Sequence, residues 1–359
     1  MTDRDTPLPG DQLVGAPRDS LFLVWAERHR GTRSAWLAES LGVGDLRYLA
    51  PTRARGIGGA WRKYPLQAIS SVRVLMAARP RALFVQSPPS FAAWLAALYG
   101  AITGAAVVID SHSDAFERGI WTRPHWISRT VARVVTATIV TNDHWAKQIQ
   151  GWHATAITVP SVPTTFEAGE PPPLDLGHNV AVVNTWARDE PIEEVLAAAE
   201  LLPQVSFHIT GRDDRVASLR GLVPGNVRFT GFLPEDRYHG LLRAADAVVC
   251  LTKRDYTMQN GACEALSHAT PVVTSDWSVL RDYFDAGAAH VDNSAAGIAA
   301  GIQRVIDDLP GHRQAIRELR GRRMAEWAIT RRTILELING HLSGRKQASR
   351  RTSDAEVNS

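Results

Sequence analysis

The stretch Thr252-Lys-Arg-Asp-Tyr-Thr-Met-Gln-Asn-Gly-Ala-Cys-Glu-Ala-Leu-Ser-His-Ala-Thr-Pro-Val-Val-Thr-Ser275 decides the fold. A short apolar run, residues 246–251, precedes it, and a second run, residues 271–274, lies near its end. Runs of this length are typical of buried strands. Between them, apolar residues recur at helical spacing and predict a helix over residues 260–268. The order strand, polar loop, helix, strand is the repeating unit of an α/β domain.

Polar residues in this unit predict a phosphate-binding site. In an open α/β sheet, ligands bind beyond the carboxyl ends of the strands, where helix N-termini offer free N–H groups to anions. The loop before the predicted helix carries Lys253 and Arg254, and Gly261 lies in the first helical turn. Glu264, one turn further along, is then placed to reach sugar or ribose hydroxyls. The alternative for Glu264 is a solvated carboxylate on the helix surface.

These residues resemble the donor-site signature of GT-B fold glycosyltransferases, especially the retaining family 4 type. The resemblance lies in Glu264-Ala-Leu and in Ala269-Thr-Pro-Val-Val. In that family, two glutamates eight positions apart contact the donor, and the backbone amides between them hold its diphosphate. The resemblance implies that Glu264 binds the donor ribose and that the amides around Asn260 and Gly261 bind the diphosphate.

The sequence departs from the family pattern at the other donor contacts. The first glutamate, which contacts the transferred sugar, falls on Tyr256. The basic pair that neutralises the diphosphate falls on Thr185 and Glu190, so Arg188 and Lys253 are the nearest replacement cations. Fixed cations and amide dipoles are needed because negative charge builds on the leaving diphosphate. The predicted donor-binding residues are Glu264, Asn260, Gly261, Lys253, Arg188 and Tyr256, with no metal and no cofactor besides the nucleotide sugar as co-substrate.

A second polar cluster marks the first half of the chain. The predicted strand over residues 105–109 ends in Asp110-Ser-His-Ser-Asp114, and titratable groups at a strand's carboxyl end are typical of α/β sites. The resemblance implies that a His or an acid here lies near the reacting sugar, which makes His112 and Asp110 the catalytic candidates, with Asp114 as a competitor. If the reaction inverts configuration, His112 or Asp110 serves as the base. If it retains configuration, the departing phosphate takes the acceptor proton. The alternative is that Asp110 caps a turn and His112 is incidental.

Length and composition fit two globular α/β domains. The chain has 359 residues, 45% of them hydrophobic and 21% charged. Alternating strand and helix patterns predict two doubly wound Rossmann-like domains. The resemblance implies that they face each other across a cleft, with the last helix crossing back to the first domain. The predicted segments are a flexible leader (1–19), an acceptor-side domain (20–165), a linker (166–178), a donor domain (179–310), a crossover helix (311–343) and a disordered tail (344–359).

Residues 91–109 carry no charge, so a membrane span has to be weighed. Gly100, Thr103 and Gly104 divide this run, which therefore predicts a buried helix followed by a central strand. No secretory signal opens the chain. Cys250 and Cys263 lack metal-ligand spacing and predict core residues in a reducing compartment, hence a cytoplasmic protein.

Basic residues are concentrated in the first half. Residues 1–170 carry 18 basic and 13 acidic side chains, whereas residues 171–310 carry 11 and 19. One basic span has no acid before Asp110, and it contains Arg53, Arg55, Arg62, Lys63, Arg73, Arg79 and Arg81. This span favours contact with an anionic membrane surface or a pyrophosphate-linked acceptor. The alternative is a solvated basic helix, and no nucleic-acid module accompanies the charge.

The sequence as a whole predicts a glycosyltransferase that moves a sugar from a nucleotide-diphosphate donor to a hydroxyl acceptor. The acceptor is expected to be a glycan or a lipid-linked molecule in surface polysaccharide or glycolipid assembly, at the inner face of the plasma membrane. Two alternatives remain open. One is a sugar-nucleotide epimerase of GT-B fold, and the other is a non-catalytic binding protein on the same fold.

Overall fold

The computed structural model describes residues 15–27, 32–50, 56–117, 119–212, 219 and 223–357, with the backbone alone at 56–61, 122 and 346–357. Of the predicted basic span, Arg53 and Arg55 lie outside the described residues, as does most of the predicted leader. The chain forms two compact units. Unit 1 comprises the residues up to Val140, Trp145–Thr158 and those from Thr330 onward, and unit 2 comprises Thr141–His144 and Val159–Ile329.

The first sheet has six parallel strands in the order β2-β1-β3-β4-β5-β6. The elements up to β6 are β1 (Ser20–Val24), α1 (Arg33–Leu41), β2 (Asp45–Tyr48), α2 (Gly56–Ala78), β3 (Ala82–Ser87), α3 (Ser90–Thr103), β4 (Ala106–Ser111), α4 (Asp114–Glu117), α5 (Gly119–Thr122), α6 (His125–Val134), β5 (Ala137–Val140), α7 (Asp143–Gly151) and β6 (Ala156–Thr158). Every residue of the central strand β4 is buried, as expected for a parallel strand covered on both faces.

Helix α3 packs on β3 and β4 through small side chains. Its buried residues are Ser90, Ala92, Ala93, Ala96 and Ala97. The uncharged run 91–109 is therefore a helix and a strand, as the sequence predicts, but Leu98 and Ile102 lie on an exposed side of a helix predicted to be buried. In the described part of the chain, no helix is long and apolar enough to span a bilayer.

Helix α2 exposes several apolar side chains, although an amphipathic helix on a sheet ordinarily buries them. Its inward face buries Leu75 together with the polar Gln67 and Ser71. Ser71 Oγ accepts a hydrogen bond from Trp25 Nε1 at 2.8 Å, and Gln67 Nε2 donates to the carbonyl oxygen of Leu49 at 2.7 Å. Buried polar groups require such partners, and this requirement fixes the inward face of α2. The exposed apolar residues of α2 are Leu66, Ile69, Val72 and Met76.

The second sheet also has six parallel strands, in the order β12-β11-β10-β7-β8-β9. Its elements are β7 (His178–Val182), α8 (Ile192–Leu201), β8 (Val205–Thr210), β9 (Val227–Gly231), α9 (Glu235–Ala244), β10 (Ala247–Cys250), α10 (Asn260–Ser267), β11 (Val272–Ser275), α11 (Ser278–Tyr283), β12 (Ala288–Val291) and α12 (Ala295–Asp307). One hydrophobic core holds residues of α8 and α12, and another holds residues of α9 and α10. The two parallel, helix-covered sheets confirm the predicted pair of doubly wound domains.

The last helix, α13 (Leu309–Val357), continues beyond the segment predicted for it. Residues 344–357, for which the sequence predicts a disordered tail, are helical. Arg, Lys, Gln, Ala and Glu supply most of this segment, and these residues favour a helix even though they are polar. From Thr330 onward the helix belongs to unit 1, whereas its earlier residues belong to unit 2. The finer boundaries of the predicted leader, linker and domains stay predictions.

Candidate functional site

The order of strands in the second sheet creates a switch point between β7 and β10. These strands are hydrogen-bonded neighbours, and the chain leaves them toward opposite halves of the sheet. In open parallel sheets, ligands bind beyond the carboxyl ends of the strands at such a point. The two loops found there are residues 183–191 after β7 and residues 251–259 after β10, and both contain predicted donor-binding residues.

Thr252, at the start of the loop after β10, is fixed on every side. Its N–H donates to Ser275 Oγ at 2.8 Å, and its hydroxyl donates to Asp189 Oδ2 at 2.7 Å. Its carbonyl oxygen accepts hydrogen bonds from Trp277 Nε1 at 2.8 Å and from Asn293 Nδ2 at 3.0 Å. The loop that leads into α10 therefore starts from one defined position.

The N-terminus of α10 lies close to the end of β7 because residue 261 is a glycine. A Cβ atom at Gly261 would lie 2.6 Å from Val183 Cγ1 and 3.1 Å from Cys250 Sγ. The N-cap residue, Gln259, makes no capping hydrogen bond through its side chain. The N–H groups of Asn260 and Gly261 have no acceptor among the residues described. They are the donors that an anion at a helix N-terminus uses.

Glu264 lies in the middle of α10 and is half-buried. Its Oε2 accepts a hydrogen bond of 2.6 Å from the hydroxyl of Tyr238 on α9. Burial raises the pKa of the Glu264 carboxyl, and the Tyr238 hydrogen bond opposes that rise. Tyr238 thus holds one carboxylate oxygen in place, and the carboxylate has no other hydrogen-bond partner in the described part of the chain.

The predicted cations differ in their surroundings. Lys253 Nζ lies 2.8 Å from Glu194 Oε1, so an internal carboxylate already neutralises this cation. Arg188 is exposed and has no ion-pair partner among the described side chains, which leaves its guanidinium available to an anion. Among the two, Arg188 is therefore the better candidate for contact with a diphosphate.

Tyr256, which stands where the resemblance expects a glutamate, has a left-handed backbone with φ of 53°. Its ring stacks on the imidazole of His144 within unit 2, with 3.9 Å between ring centroids. Its N–H donates to Asp255 Oδ1 at 2.7 Å. One face of the aromatic ring is therefore already occupied by stacking within unit 2.

Glu190, in the loop after β7, accepts hydrogen bonds from that same loop. Its carboxylate oxygens receive the N–H of Thr185 at 2.9 and 3.1 Å, the hydroxyl of Thr185 at 2.8 Å and the N–H of Ala187 at 2.9 Å. Burial raises the pKa of the Glu190 carboxyl, and these hydrogen bonds oppose the rise. The residue at a position where the resemblance expects a basic side chain is thus an acid that holds its own loop together through hydrogen bonds.

Unit 1 carries a separate polar cluster around Asp110, at the carboxyl end of β4. Asp110 Oδ1 lies 3.3 Å from Arg33 Nε, and Asp110 Oδ2 lies 3.2 Å from His112 Nε2. Ser34 Oγ donates to Asp110 Oδ2 at 3.4 Å and to Gln86 Oε1 at 3.0 Å. Thr32 caps α1 by accepting the N–H of Ala35, which places Arg33 and Ser34 in the first helical turn.

The two catalytic candidates differ in access and charge. Asp110 is 1% exposed, whereas the side chain of His112 is 31% exposed. Burial alone would raise the pKa of Asp110, but the charges of Arg33 and His112 outweigh it and lower the pKa to about 2. Asp110 is therefore a fixed anion that orients His112. His112 is the member of the pair that a substrate can reach.

Two partners of the predicted residues escape the sequence analysis. Arg33 and Tyr238 lie 77 and 26 positions away from the carboxylates they contact, so no local pattern links them. The hydrogen bonds of Glu190 to its own loop could have been predicted from the sequence, because an acid five residues after Thr185 in a tight loop can reach back to backbone amides.

In the described part of the chain, no group of three or more His, Cys, Asp or Glu side chains could hold a metal ion. The two cysteines are buried thiols that form no disulfide, as expected for core residues.

Comparison with known proteins gives one family match and several structural likenesses. Residues 180–308 match the family model described as Glycosyl transferases group 1. No curated protein matches the sequence at a significant level. All six predicted donor-binding residues fall inside the matched region, whereas His112 and Asp110 fall outside it.

Three solved structures illustrate the likeness of fold. Sucrose-phosphate synthase from Thermosynechococcus elongatus is 15% identical, with a TM-score of 0.64 over 94% of this chain and 99% of that one. HepE from Anabaena, in complex with UDP and glucose, is 13% identical, with a TM-score of 0.66 over 89% of this chain and 99% of that one. The UDP-forming α,α-trehalose-phosphate synthase from Burkholderia xenovorans is 12% identical, with a TM-score of 0.64 over 89% and 98%. At these identities the likeness is one of fold.

Proposed function

We propose that this chain, whose residues 180–308 form a glycosyl transferases group 1 domain in a GT-B fold, transfers a sugar from a nucleotide-diphosphate donor to a hydroxyl acceptor. The observation that carries this proposal is the switch point of the second sheet. There, unpaired amides at the start of α10 and the fixed carboxylate of Glu264 lie one helical turn apart, inside the matched region. This arrangement offers one site for a phosphate and one for a hydroxyl.

The site supplies what the departure of a nucleoside diphosphate requires. As the sugar–phosphate bond breaks, negative charge grows on the diphosphate, and preorganised dipoles stabilise it without reorganising. The N–H groups of Asn260 and Gly261 bind the phosphates, and Arg188 adds a positive charge. Glu264, held by Tyr238, accepts hydrogen bonds from the ribose hydroxyls. A metal ion is not part of this proposal.

In unit 1, His112 is the proposed catalytic group. The His112 side chain is partly exposed to solvent, whereas its hydrogen-bond partner Asp110 is buried. The Asp110 carboxylate therefore orients an accessible imidazole at the carboxyl end of β4. In an inverting reaction, His112 takes the proton of the acceptor hydroxyl. In a retaining reaction of the family 4 type, the departing phosphate takes that proton, and His112 contacts the reacting sugar. Asp110 acts through His112 in both cases.

We further propose a glycan or lipid-linked acceptor at an anionic membrane surface, in polysaccharide or glycolipid assembly on the cytoplasmic side. The outward apolar side of α2 supports this proposal. Leu66, Ile69 and Met76 are exposed there, and Arg62 and Arg73 are exposed on the same helix. An apolar side bordered by basic residues is the pattern by which helices bind the surface of a bilayer.

A thermal-shift screen with UDP-, GDP- and ADP-sugars tests the proposed function. A ligand at 100 times its Kd stabilises the folded protein by about 2.7 kcal/mol, so one nucleotide class is expected to raise the unfolding temperature. Incubating that donor without an acceptor then separates the alternatives. Slow hydrolysis to free sugar supports a transferase, and a changed sugar stereocentre would identify an epimerase. Binding with neither reaction, with or without hydroxyl acceptors, would point to a non-catalytic binding protein.

A further inference from the structure

The loop after β7 is a cradle for an anion, and the chain's own carboxylate fills it. Two backbone N–H groups and one hydroxyl, from Thr185 and Ala187, donate to Glu190 at distances of 2.8 to 3.1 Å. Converging backbone N–H groups of this kind are the means by which loops bind phosphate. Four short contacts around one carboxylate are more than an ordinary surface acid makes.

The cradle lies beside the proposed phosphate site. Val183, directly before the loop, is the residue that a Cβ atom at Gly261 would meet at 2.6 Å. The carbonyl oxygen of Asp189 accepts the N–H of Lys253 at 2.7 Å, which joins this loop to the one that follows β10. The cradle and the amides of α10 therefore share one edge of the sheet.

A molecule in solution can reach the cradle. Thr185 and Ala187 are exposed, and Glu190 is half-buried. The donors would therefore be hydrated, and available to another anion, once the carboxylate left them. While the carboxylate stays, it occupies those donors and repels a second negative charge.

We infer that Glu190 is a resident anion that competes with the diphosphate of the donor and of the product for this cradle. The inference rests on the proposed function and assigns Glu190 the opposite role from a phosphate-binding cation at the same position. By occupying the cradle, Glu190 limits how tightly a nucleoside diphosphate is held after transfer. It thereby favours release of the product.

The test compares binding of pyrophosphate and of UDP to the wild type, Glu190→Gln and Glu190→Ala by titration calorimetry. Glu190→Gln keeps the shape of the side chain and removes its charge, and Glu190→Ala empties the cradle. Both variants are expected to bind pyrophosphate and UDP about tenfold more tightly, which corresponds to about 1.4 kcal/mol. Binding of uridine, which has no phosphate, is expected to stay the same.

Glu193→Gln is the matched control. Glu193 lies in the first turn of α8, is exposed, and its loss changes the net charge of the chain by the same amount. It is expected to leave all three affinities unchanged. Circular dichroism and melting verify that each variant is folded.

Two outcomes overturn the inference. Unchanged or weaker pyrophosphate binding by both folded Glu190 variants would mean that the carboxylate only orders its loop. An equal gain in affinity for pyrophosphate and UDP in Glu193→Gln would mean that the effect comes from the net charge of the chain and not from the cradle. Absence of UDP, GDP and ADP binding by the wild type would count against the proposed function instead, and the pyrophosphate comparison would still decide the role of Glu190.

Discussion

Glu264 is the side chain on which the proposed ribose contact depends. Glu264→Ala is expected to weaken binding of the nucleotide sugar by about 1–3 kcal/mol, the range for a lost charge-assisted hydrogen bond. Titration calorimetry with the donor found in the thermal-shift screen measures this loss. Glu200→Ala, an exposed acid of α8 in the same unit, is the control and should bind as the wild type does. Equal affinities in both variants would remove Glu264 from the donor site.

His112 is expected to act on the rate and not on donor affinity. Its imidazole is held by the buried Asp110 carboxylate at 3.2 Å and lies in the other unit from the donor residues. His112→Ala should lower kcat about a hundredfold, or about 2.7 kcal/mol, while the Kd for the donor stays the same. His125→Ala, an exposed histidine of α6, is the control. A variant with normal kcat and weakened donor binding would contradict the catalytic role.

At this scale the sequence indicates candidate side chains but not the residues that hold them. Glu264 and His112 are indicated by local patterns and by the family resemblance, and their roles stay predictions. Tyr238 and Arg33 come from elements far away in the chain and meet the carboxylates only after the sheet has formed. Glu190 shows the remaining difficulty, since a residue aligned with a cation forms its own hydrogen-bonded loop.

Two histidines meet where α9 packs beside the end of α10: His239 in α9 is buried, and His268, the C-cap of α10, is half-buried. His239 Nδ1 lies 3.1 Å from His268 Nε2, and the ring of Phe166 stacks on His239 with 4.0 Å between centroids. Burial lowers the pKa of His239 to about 4. The pKa of His268 is also lowered to about 4, chiefly by burial and further by the charges of His239, Arg243 and Arg320. Both imidazoles are therefore neutral in the folded protein near pH 7, and their packing depends on that neutrality.

The pair predicts acid sensitivity of unit 2. In the unfolded chain these histidines protonate near pH 6.5, but in the folded chain only near pH 4, so acid favours unfolding. Their stabilising contribution is complete above pH 6.5 and falls as the pH drops toward 4, by at most about 1.4 kcal/mol per pH unit for each histidine. Urea unfolding of the wild type between pH 7 and pH 4 measures this slope.

The double variant His239→Gln/His268→Gln separates this pair from other titrating groups. It should show a shallower fall of the urea midpoint with acid than the wild type. His125→Gln, which changes an exposed histidine, should keep the wild-type slope. If the double variant kept the full slope, the acid sensitivity would come from elsewhere in the chain.

At the level of elements, the sequence predicts the presence of helix α2 but not which of its residues face the core. Apolar residues at helical spacing on one side of residues 61–78, namely Leu66, Ile69, Val72 and Leu75/Met76, predict a helix, and the helix is present. The exposure of Leu66, Ile69 and Met76 does not follow from periodicity. The inward face combines the buried Leu75 with Ser71 and Gln67, which bond to the indole of Trp25 and the carbonyl of Leu49, and such long-range partners leave no local pattern.

For the molecule as a whole, the uneven distribution of charge predicts attachment to anionic vesicles. Each basic residue near an anionic surface contributes about 1 kcal/mol, and salt screens that contribution. Flotation with vesicles that contain phosphatidylglycerol should recover the protein at low salt and release it at high salt. Arg62→Gln/Arg73→Gln, on the exposed side of α2, is expected to reduce recovery.

The control for flotation removes the same charge from unit 2. Arg237→Gln/Arg304→Gln changes two exposed arginines there and should float like the wild type. Equal losses in both double variants would show that attachment follows net charge alone. Recovery that ignores salt would rule out an electrostatic attachment through α2.

The class of fold follows from the alternation of strands and helices over the whole chain, and the two parallel sheets confirm it. The extent of the last helix does not follow, because polar residues such as those after residue 343 are equally common in helices and in disordered tails. Helix propensity, which the hydrophobic pattern does not include, favours the helix there.

The path of α13 has a consequence for the order in which the chain folds during synthesis. Unit 1 begins near the N-terminus, but it also includes residues from Thr330 onward, which are made last. Unit 2 lies between these parts, and almost all of it emerges from the ribosome as one continuous segment. At about 5–20 residues per second, the first sheet waits several seconds or more for its final helical segment while the second domain can already close. A fragment that stops at Ile329 would therefore leave unit 1, not unit 2, incomplete.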